Sequence, residues 1–167
     1  MQGSIANLAF DTSSDGPTSN YVGALALIER LHRLLLDVIK DEFERLGLLD
    51  VNSVQALLLY NIGDNEVTAG EMKSRGYYQG SNVSYNLKKL VDGGYMHHQR
   101  CEIDRRSVRI KLTEKGCEVR DVVAGLFERH SGQLSENDSL NGGRLAEMTA
   151  DLRWLERFWT DQIRYIY

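Results

Sequence analysis

The chain has 167 residues, 42% of them hydrophobic and 26% charged, with a formal net charge of −4. This length and composition indicate one globular domain, with room for a core but not for two large domains. No apolar run approaches the roughly 20 residues that span a bilayer, and no secretory signal is recognisable. These features exclude a membrane-spanning class and predict a cytoplasmic protein, and the two cysteines, Cys101 and Cys117, fit a reducing compartment.

The charge is unevenly distributed along the chain. Residues 71–115 hold ten Lys/Arg and five Asp/Glu, a local charge of +5, whereas the remainder carries −9. Salt screening at physiological ionic strength confines each field to about 8 Å, so the local charge decides whether phosphates are attracted. The acidic balance of the whole chain therefore does not exclude nucleic-acid binding, and the acidic remainder would face away from a duplex.

Helical patterns dominate the first part of the chain. Residues 1–18 lack periodicity and are predicted to form a mobile arm. Leucines recur at helical spacing from about 20 to 46, and the length of this helix suggests a role in dimerisation. A second helix is expected at Val54–Ile62. A short third helix would begin at a capping box formed by Thr68 and Glu71.

The next helix is predicted to run from near Ser81 to the Gly93-Gly94 pair, because glycine readily ends a helix in the left-handed conformation. Its apolar stripe consists of Val83, Leu87, Leu90 and Val91. The opposite face carries amide, hydroxyl and ammonium groups, which hydrogen-bond base edges and phosphates. These groups belong to Ser81, Asn82, Tyr85, Lys88 and Lys89. A solvated surface is the alternative interpretation, and Gln79, just before the helix, is a further candidate contact.

A hairpin is predicted after this helix. Two strand-like runs, Tyr95–Arg100 and Ser107–Leu112, flank the polar loop 101–106. The second run alternates apolar and polar residues, which is typical of a strand with one face in solvent. Arg105 and Arg106 at the loop tip would suit a narrow minor groove, whose negative potential attracts arginine. They could otherwise be solubilising turn charges.

Two more helices are expected beyond the hairpin. Thr113 would cap the first, which should run to about Leu134, and the last is predicted at about Arg144–Ile163. Phe158 and Trp159, near the end of the chain, need to be covered. Packing of the first and last helices against a symmetry mate would cover them. The candidate dimer-interface residues are Leu152, Leu155, Phe158, Trp159 and Ile163.

This layout, with DRRSVRIKLTEKG closing the hairpin, resembles the MarR family of winged helix-turn-helix bacterial regulators. The resemblance covers nearly all the chain after residue 20 or so, and the segment GYYQGSNVSYNLKKLVDGGY is also similar to the alphaproteobacterial LdtR-like subgroup. The implied fold is mainly α with a small β-hairpin wing (α+β). Within one domain, 19–167, the winged helix-turn-helix lobe would span about 51–116 and the dimerisation helices about 20–46 and 117–165.

The resemblance also implies roles for single residues. It places the wing arginine at Arg106, two residues after Asp104. A carboxylate at Asp104 would repel phosphate, so its useful role would be to hold a neighbouring guanidinium in position. Arg109 and Lys111, on the outward strand face, are further candidates for phosphate contacts. Many family members bind small phenolic or other aromatic anions between the dimer helices and the DNA-binding lobe. Candidate effector contacts here are Arg30, His32, Arg33 and Tyr60, although each could be an ordinary surface or core residue.

The sequence predicts a homodimeric, sequence-specific DNA-binding regulator on a pseudo-palindromic double-stranded operator. The resemblance implies that a small aromatic or phenolic effector modulates it. An enzyme is not expected, because the chain has no phosphate-binding Gly-rich loop, GxSxG elbow or HExxH motif. No metal or other cofactor is expected, since the adjacent His97 and His98 would point to opposite faces of a strand. Two alternatives stay open: an oxidant-sensing regulator acting through Cys101 or Cys117, and a protein-binding winged-helix module.

Overall fold

The computed structural model describes residues 16–64, 66–68, 71, 81–100, 108–136 and 141–166. Within them it forms five helices and three strands, which confirms the predicted mainly α class with a small sheet. In chain order these are α1 (Pro17–Arg45), α2 (Ser53–Ile62), β1 (Val67–Thr68), α3 (Ser81–Asp92), β2 (Met96–Arg100), β3 (Val108–Leu112), α4 (Glu114–Ser135) and α5 (Gly142–Ile166). The chain divides into two compact units, Met1–Val54 and Gln55–Tyr167.

The first unit consists mainly of α1, which starts earlier than predicted. It begins at Pro17, inside the segment expected to be a mobile arm, because proline suits the first helical position, where no N–H is needed. At its other end Gly47 adopts φ +71°. The Leu48 amide donates to the Phe43 carbonyl at 2.9 Å and the Gly47 amide to the Glu44 carbonyl at 3.1 Å. These bonds give two carbonyl groups of the last helical turn a hydrogen-bond partner.

The second unit contains an antiparallel sheet with strand order β1-β3-β2. The hairpin aligns Met96 with Leu112 and Arg100 with Val108. The prediction of two strands was incomplete, because β1 adds a third, with Val67 opposite Ile110. A strand of two residues is too short to show any periodicity in the sequence, so only its pairing with β3 defines it.

Two of the predicted caps are confirmed in the second unit. Thr68 and Glu71 form the capping box, in which the Thr68 amide donates to Glu71 Oε2 at 2.6 Å and the Glu71 amide to Thr68 Oγ1 at 3.1 Å. Thr113 caps α4, since its hydroxyl oxygen accepts from the Gly116 amide at 3.1 Å. Short-range signals of this kind depend on residues within one helical turn and are therefore visible in the sequence.

The last helix is longer at both ends than the predicted Arg144–Ile163. It begins at Gly142 because Asn141 precedes it as a cap, with its side-chain oxygen accepting from the Arg144 amide at 3.2 Å. It continues to Ile166. No helix in the described part of the chain combines the length and the apolarity needed to cross a membrane.

Candidate nucleic-acid interface

The candidate interface is built on α3, whose two sides differ in burial and chemistry. Tyr85, Lys88 and Lys89 are exposed, and Tyr85 keeps 60% of its surface in solvent. The Lys89 ammonium lies 5.8 Å from the centre of the Tyr85 ring, so these two side chains occupy the same exposed side. On the other side Leu90 is 1% exposed. The arrangement presents two cations and a phenol to any ligand of this surface.

Ser81 and Asn82 lie in the first turn of α3, as predicted, although their side chains lie outside the described part. The predicted contacts at Gln79, Asp104, Arg105 and Arg106 also lie outside the described residues, as does Cys101.

The C-terminus of α3 is fixed by its glycine pair, as predicted. Gly94 has φ +76°. The Tyr95 amide donates to the Leu90 carbonyl at 2.9 Å and the Gly94 amide to the Val91 carbonyl at 3.0 Å, which is a Schellman motif. Tyr95 and Leu90, the two positions between which this motif usually makes an apolar contact, are both buried. The chain then enters β2 in a defined direction.

The start of α4 is attached to this same turn. Thr113 Oγ1 donates to the Gly94 carbonyl at 2.7 Å, and Lys115 Nζ donates to the Gly93 carbonyl at 3.1 Å. The Lys115 ammonium also lies 4.1 Å from the centre of the Tyr95 ring. A cation at the C-terminus of a helix interacts favourably with the helix dipole. The sequence analysis did not identify this junction, which holds the end of α3, the wing and α4 together.

Arg109 lies on the exposed face of β3 and pairs with a carboxylate. Its guanidinium donates to Glu66 Oε2 at 3.3 Å, and both side chains are substantially exposed. Such a pair contributes about 0–1 kcal/mol to stability, so its main effect is to orient the guanidinium. The candidate phosphate contact therefore has a local acidic partner that the sequence analysis did not identify.

A second arginine, near the start of β1, is bound by two carboxylates. Arg120 on α4 donates hydrogen bonds to Asp121 and to Asp64, and its side chain is 18% exposed. The hydrogen bond to Asp121, and then the one to Asp64, raise the pKa of the Arg120 guanidinium above its ordinary value. This arginine stays charged at every accessible pH and joins α4 to the turn before the sheet.

The candidate effector residues fall in both units. Arg30 and His32 are exposed on α1, and Arg33 forms an ion pair with Glu29 one turn earlier. Tyr60 on α2 is half-buried and packs edge-to-face on Phe127 of α4, with ring centres 5.0 Å apart. The described residues contain no cluster of three or more potential metal ligands. Cys117, half-buried in α4, is a free thiol.

Exposed apolar side chains line both long helices. On α1, Leu27, Leu31, Leu34 and Val38 are exposed at helical spacing. On α5 the predicted interface residues Leu152, Phe158 and Ile163 are exposed, and Leu155 and Trp159 are half-buried. Contiguous apolar surface of this kind is typical of helices that bind another protein surface.

Comparison with known proteins agrees with this geometry. Residues 51–116 match a family model described as a winged helix DNA-binding domain. The chain is 35% identical over 158 residues to the exopolysaccharide II synthesis transcriptional activator ExpG of Rhizobium meliloti (strain 1021), covering 93% of this chain and 79% of that protein.

Two solved structures show the same fold at low sequence identity. A putative MarR family transcriptional regulator from Listeria monocytogenes, complexed with a 26mer DNA, has a TM-score of 0.72 and 17% identity, covering 85% of this chain and 92% of that one. Streptococcus pneumoniae FabT in complex with DNA has a TM-score of 0.67 and 20% identity, covering 85% of this chain and 99% of that one.

Proposed function

We propose that this chain, which belongs to the MarR family of winged helix-turn-helix transcriptional regulators, binds a pseudo-palindromic DNA operator as a homodimer. One observation carries the proposal: α3 exposes Tyr85, Lys88 and Lys89 on one side while Leu90 is buried on the other. A helix with such a cationic, hydrogen-bonding face can enter a major groove, whose width accommodates it. The narrower resemblance to the LdtR-like subgroup stays a prediction.

Each protomer would place α3 in a major groove and its wing in the flanking minor groove. Asn82 and Tyr85 would contact base edges, with Ser81 and Gln79 nearby. Lys88, Lys89 and Arg109 would contact phosphates, and Arg105 and Arg106, positioned by Asp104, would enter the minor groove. Two-fold symmetry then requires half-sites about one helical turn apart, roughly 34–36 Å.

Selection from a pool of random duplexes tests this proposal. The protein should enrich a palindromic sequence, and its affinity for that sequence should fall steeply with salt, with a slope near −0.9 per phosphate neutralised. A protein-binding winged helix would enrich no sequence and would show no such salt dependence. Footprinting on the enriched duplex would then give the half-site spacing.

The apolar surfaces of α1 and α5 support the dimer. Each helix leaves several large apolar residues in solvent, which a monomer in water would be expected to cover. A second copy of the chain would bury these surfaces in an isologous interface, the commonest arrangement in soluble oligomers. The spacing of the two α3 helices would then be fixed by the dimer.

Trp159→Ala is expected to weaken the dimer by about 2 kcal/mol or more, roughly thirtyfold, because large aromatic residues dominate interface energetics. Sedimentation across a dilution series measures the change. Arg157→Ala is the control, since this side chain is exposed and lies two residues earlier, about 160° around the same helix. Equal effects of the two substitutions, or an unchanged Trp159→Ala dimer, would refute this interface.

Asn82→Ala is expected to cost about 1–3 kcal/mol in operator affinity and to relax the preference at one base position, because an amide reads adenine through paired hydrogen bonds. Binding measured against single-base operator variants detects this change. Ser84→Ala, at an exposed position of α3, serves as the control. A uniform loss on all sequences would instead make Asn82 a backbone contact.

The effector would be a small aromatic or phenolic anion, with Arg30, His32, Arg33 and Tyr60 as candidate contacts. Such a ligand weakens DNA binding only if it binds one arrangement of the protein more tightly than the other. Titration with salicylate in the presence and absence of operator measures that coupling. Equal ligand affinity in the two titrations would exclude coupling by salicylate.

A further inference from the structure

A hydrogen bond between two buried amides lies on the inner side of α3. Gln55 Nε2, on α2, donates to Asn86 Oδ1, on α3, at 3.3 Å, and each residue is only 8% exposed. Both helices also bury apolar residues close to these amides in the sequence. Ala56, Leu58 and Leu59 on α2 are almost completely buried, as is Leu90 one turn after Asn86. Each buried amide carries a donor and an acceptor that must be paired in a defined geometry, a requirement that apolar side chains at these positions would not impose.

The two kinds of contact restrain α3 differently. Apolar burial is non-directional, so Leu90 and its neighbours can stay buried while the helix rotates by a small angle. A hydrogen bond weakens steeply when its angle is distorted, and a buried amide left without a partner costs free energy. The amide pair therefore selects one rotation of α3 from a range that apolar packing alone would allow.

Rotation of α3 matters for base recognition in particular. A rotation of about 20° moves a side-chain end that lies roughly 6 Å from the helix axis by about 2 Å. Contacts to base edges tolerate only about 0.5 Å. Long lysine side chains can still reach phosphates after such a movement. Asn82, one turn before Asn86 along the same helix, would follow the rotation directly.

We propose that Gln55 and Asn86 are positioning residues that fix the rotation of α3 and thereby determine how strongly the operator is preferred over other DNA. The inference rests on the proposed function, because it requires α3 to read bases. The pair contacts neither bases nor phosphates and acts through the side chains on the exposed side. Its removal lowers specificity while leaving the electrostatic part of binding intact.

The test compares the full-length protein with two double variants. Gln55→Leu with Asn86→Leu replaces the amides by apolar side chains. Gln55→Asn with Asn86→Gln exchanges them and preserves the chemistry of the pair. The probes are the duplex that the unchanged protein selects from a random pool and a scrambled duplex of the same composition. Each protein is measured for its thermal midpoint, its affinity for both duplexes and the salt slope on the scrambled one.

The leucine pair should lower the ratio of operator to scrambled affinity by about tenfold or more, the effect of losing one good base contact. Its thermal midpoint and its salt slope should be unchanged. The exchanged amides should recover part of the ratio. A leucine pair that keeps the full ratio would overturn the inference. A loss of operator preference that only accompanies an equivalent loss of thermal stability would also overturn it, because that result indicates a purely structural role.

The test distinguishes failure of this inference from failure of the proposed function. If the leucine pair does not fold, Asn86→Ser carries the test, since it shortens the side chain and leaves a hydroxyl that water can satisfy; it should lower the ratio similarly. If the unchanged protein selects no sequence, the proposed function is wrong and the inference fails with it. If it selects a sequence and Asn86→Ser or the leucine pair retains the ratio, only the inference is wrong.

Discussion

Gly116→Ala is expected to lower the free energy of unfolding by about 3 kcal/mol, the upper end of the usual cost of overpacking. A Cβ built at Gly116 would lie 2.1 Å from the Tyr95 carbonyl oxygen. That oxygen is backbone, and it already accepts a hydrogen bond from the Thr113 amide at 3.1 Å, so it cannot move aside without breaking the junction. For a chain of this length the thermal midpoint should fall by roughly 6–12 °C.

Gly132→Ala on the same helix is the matched control for Gly116→Ala. No atom lies within 4 Å of a Cβ built at Gly132. Alanine is favoured over glycine in a helix interior by about 0.8–1.0 kcal/mol, so this variant should be more stable than the unchanged protein. Urea unfolding of both variants measures the difference. Stability gains at both positions would show that α4 and Tyr95 do not approach as closely as described.

Replacement of both Lys88 and Lys89 by glutamine is expected to reduce DNA affinity about thirtyfold at roughly 0.15 M salt. Both ammonium groups are exposed on the same side of α3 as Tyr85. Each phosphate contact contributes a salt slope of about −0.9, so the slope should become shallower by nearly 2. The loss should be similar for operator and scrambled DNA, because phosphates carry no sequence information.

Arg153→Gln combined with Arg157→Gln removes the same charge from α5 and serves as the control. Both arginines are exposed, and they lie one turn apart on the side of α5 away from the predicted dimer stripe. This variant should keep the original salt slope. Equal losses in the two double variants would mean that overall charge, rather than contact by α3, drives binding.

The sequence predicted the local features of the interface well. The end of α3 at Gly93-Gly94, the Thr113 cap and the Thr68–Glu71 capping box are all confirmed. The exposure of Tyr85, Lys88 and Lys89 also follows from helical periodicity, because successive residues advance by about 100°. The predicted bounds of α1 and α5 were less accurate, since α1 begins at Pro17 within the expected mobile arm and α5 extends from Gly142 to Ile166.

Other features could not be predicted because they join residues that are distant in the sequence. The strand β1 exists only through its pairing with β3, and Arg109 meets Glu66 across 43 positions. The Gln55–Asn86 bond spans 31 positions, and neither amide departs from ordinary helical composition in the sequence. Nothing in the local sequence explains Gly116, and only the nearby Tyr95 carbonyl shows why it is glycine.

Local sequence signals were enough to predict the end of α3, the cap of α4 and the side of α3 that carries lysine and tyrosine. Caps and periodicity act over one or two turns, so the residues that set them are neighbours in the chain. The tertiary structure alone decided how α3 is fixed to α2, the wing and α4. Those attachments are directional hydrogen bonds and close backbone contacts between separate segments, and their geometry exists only once the segments have packed together.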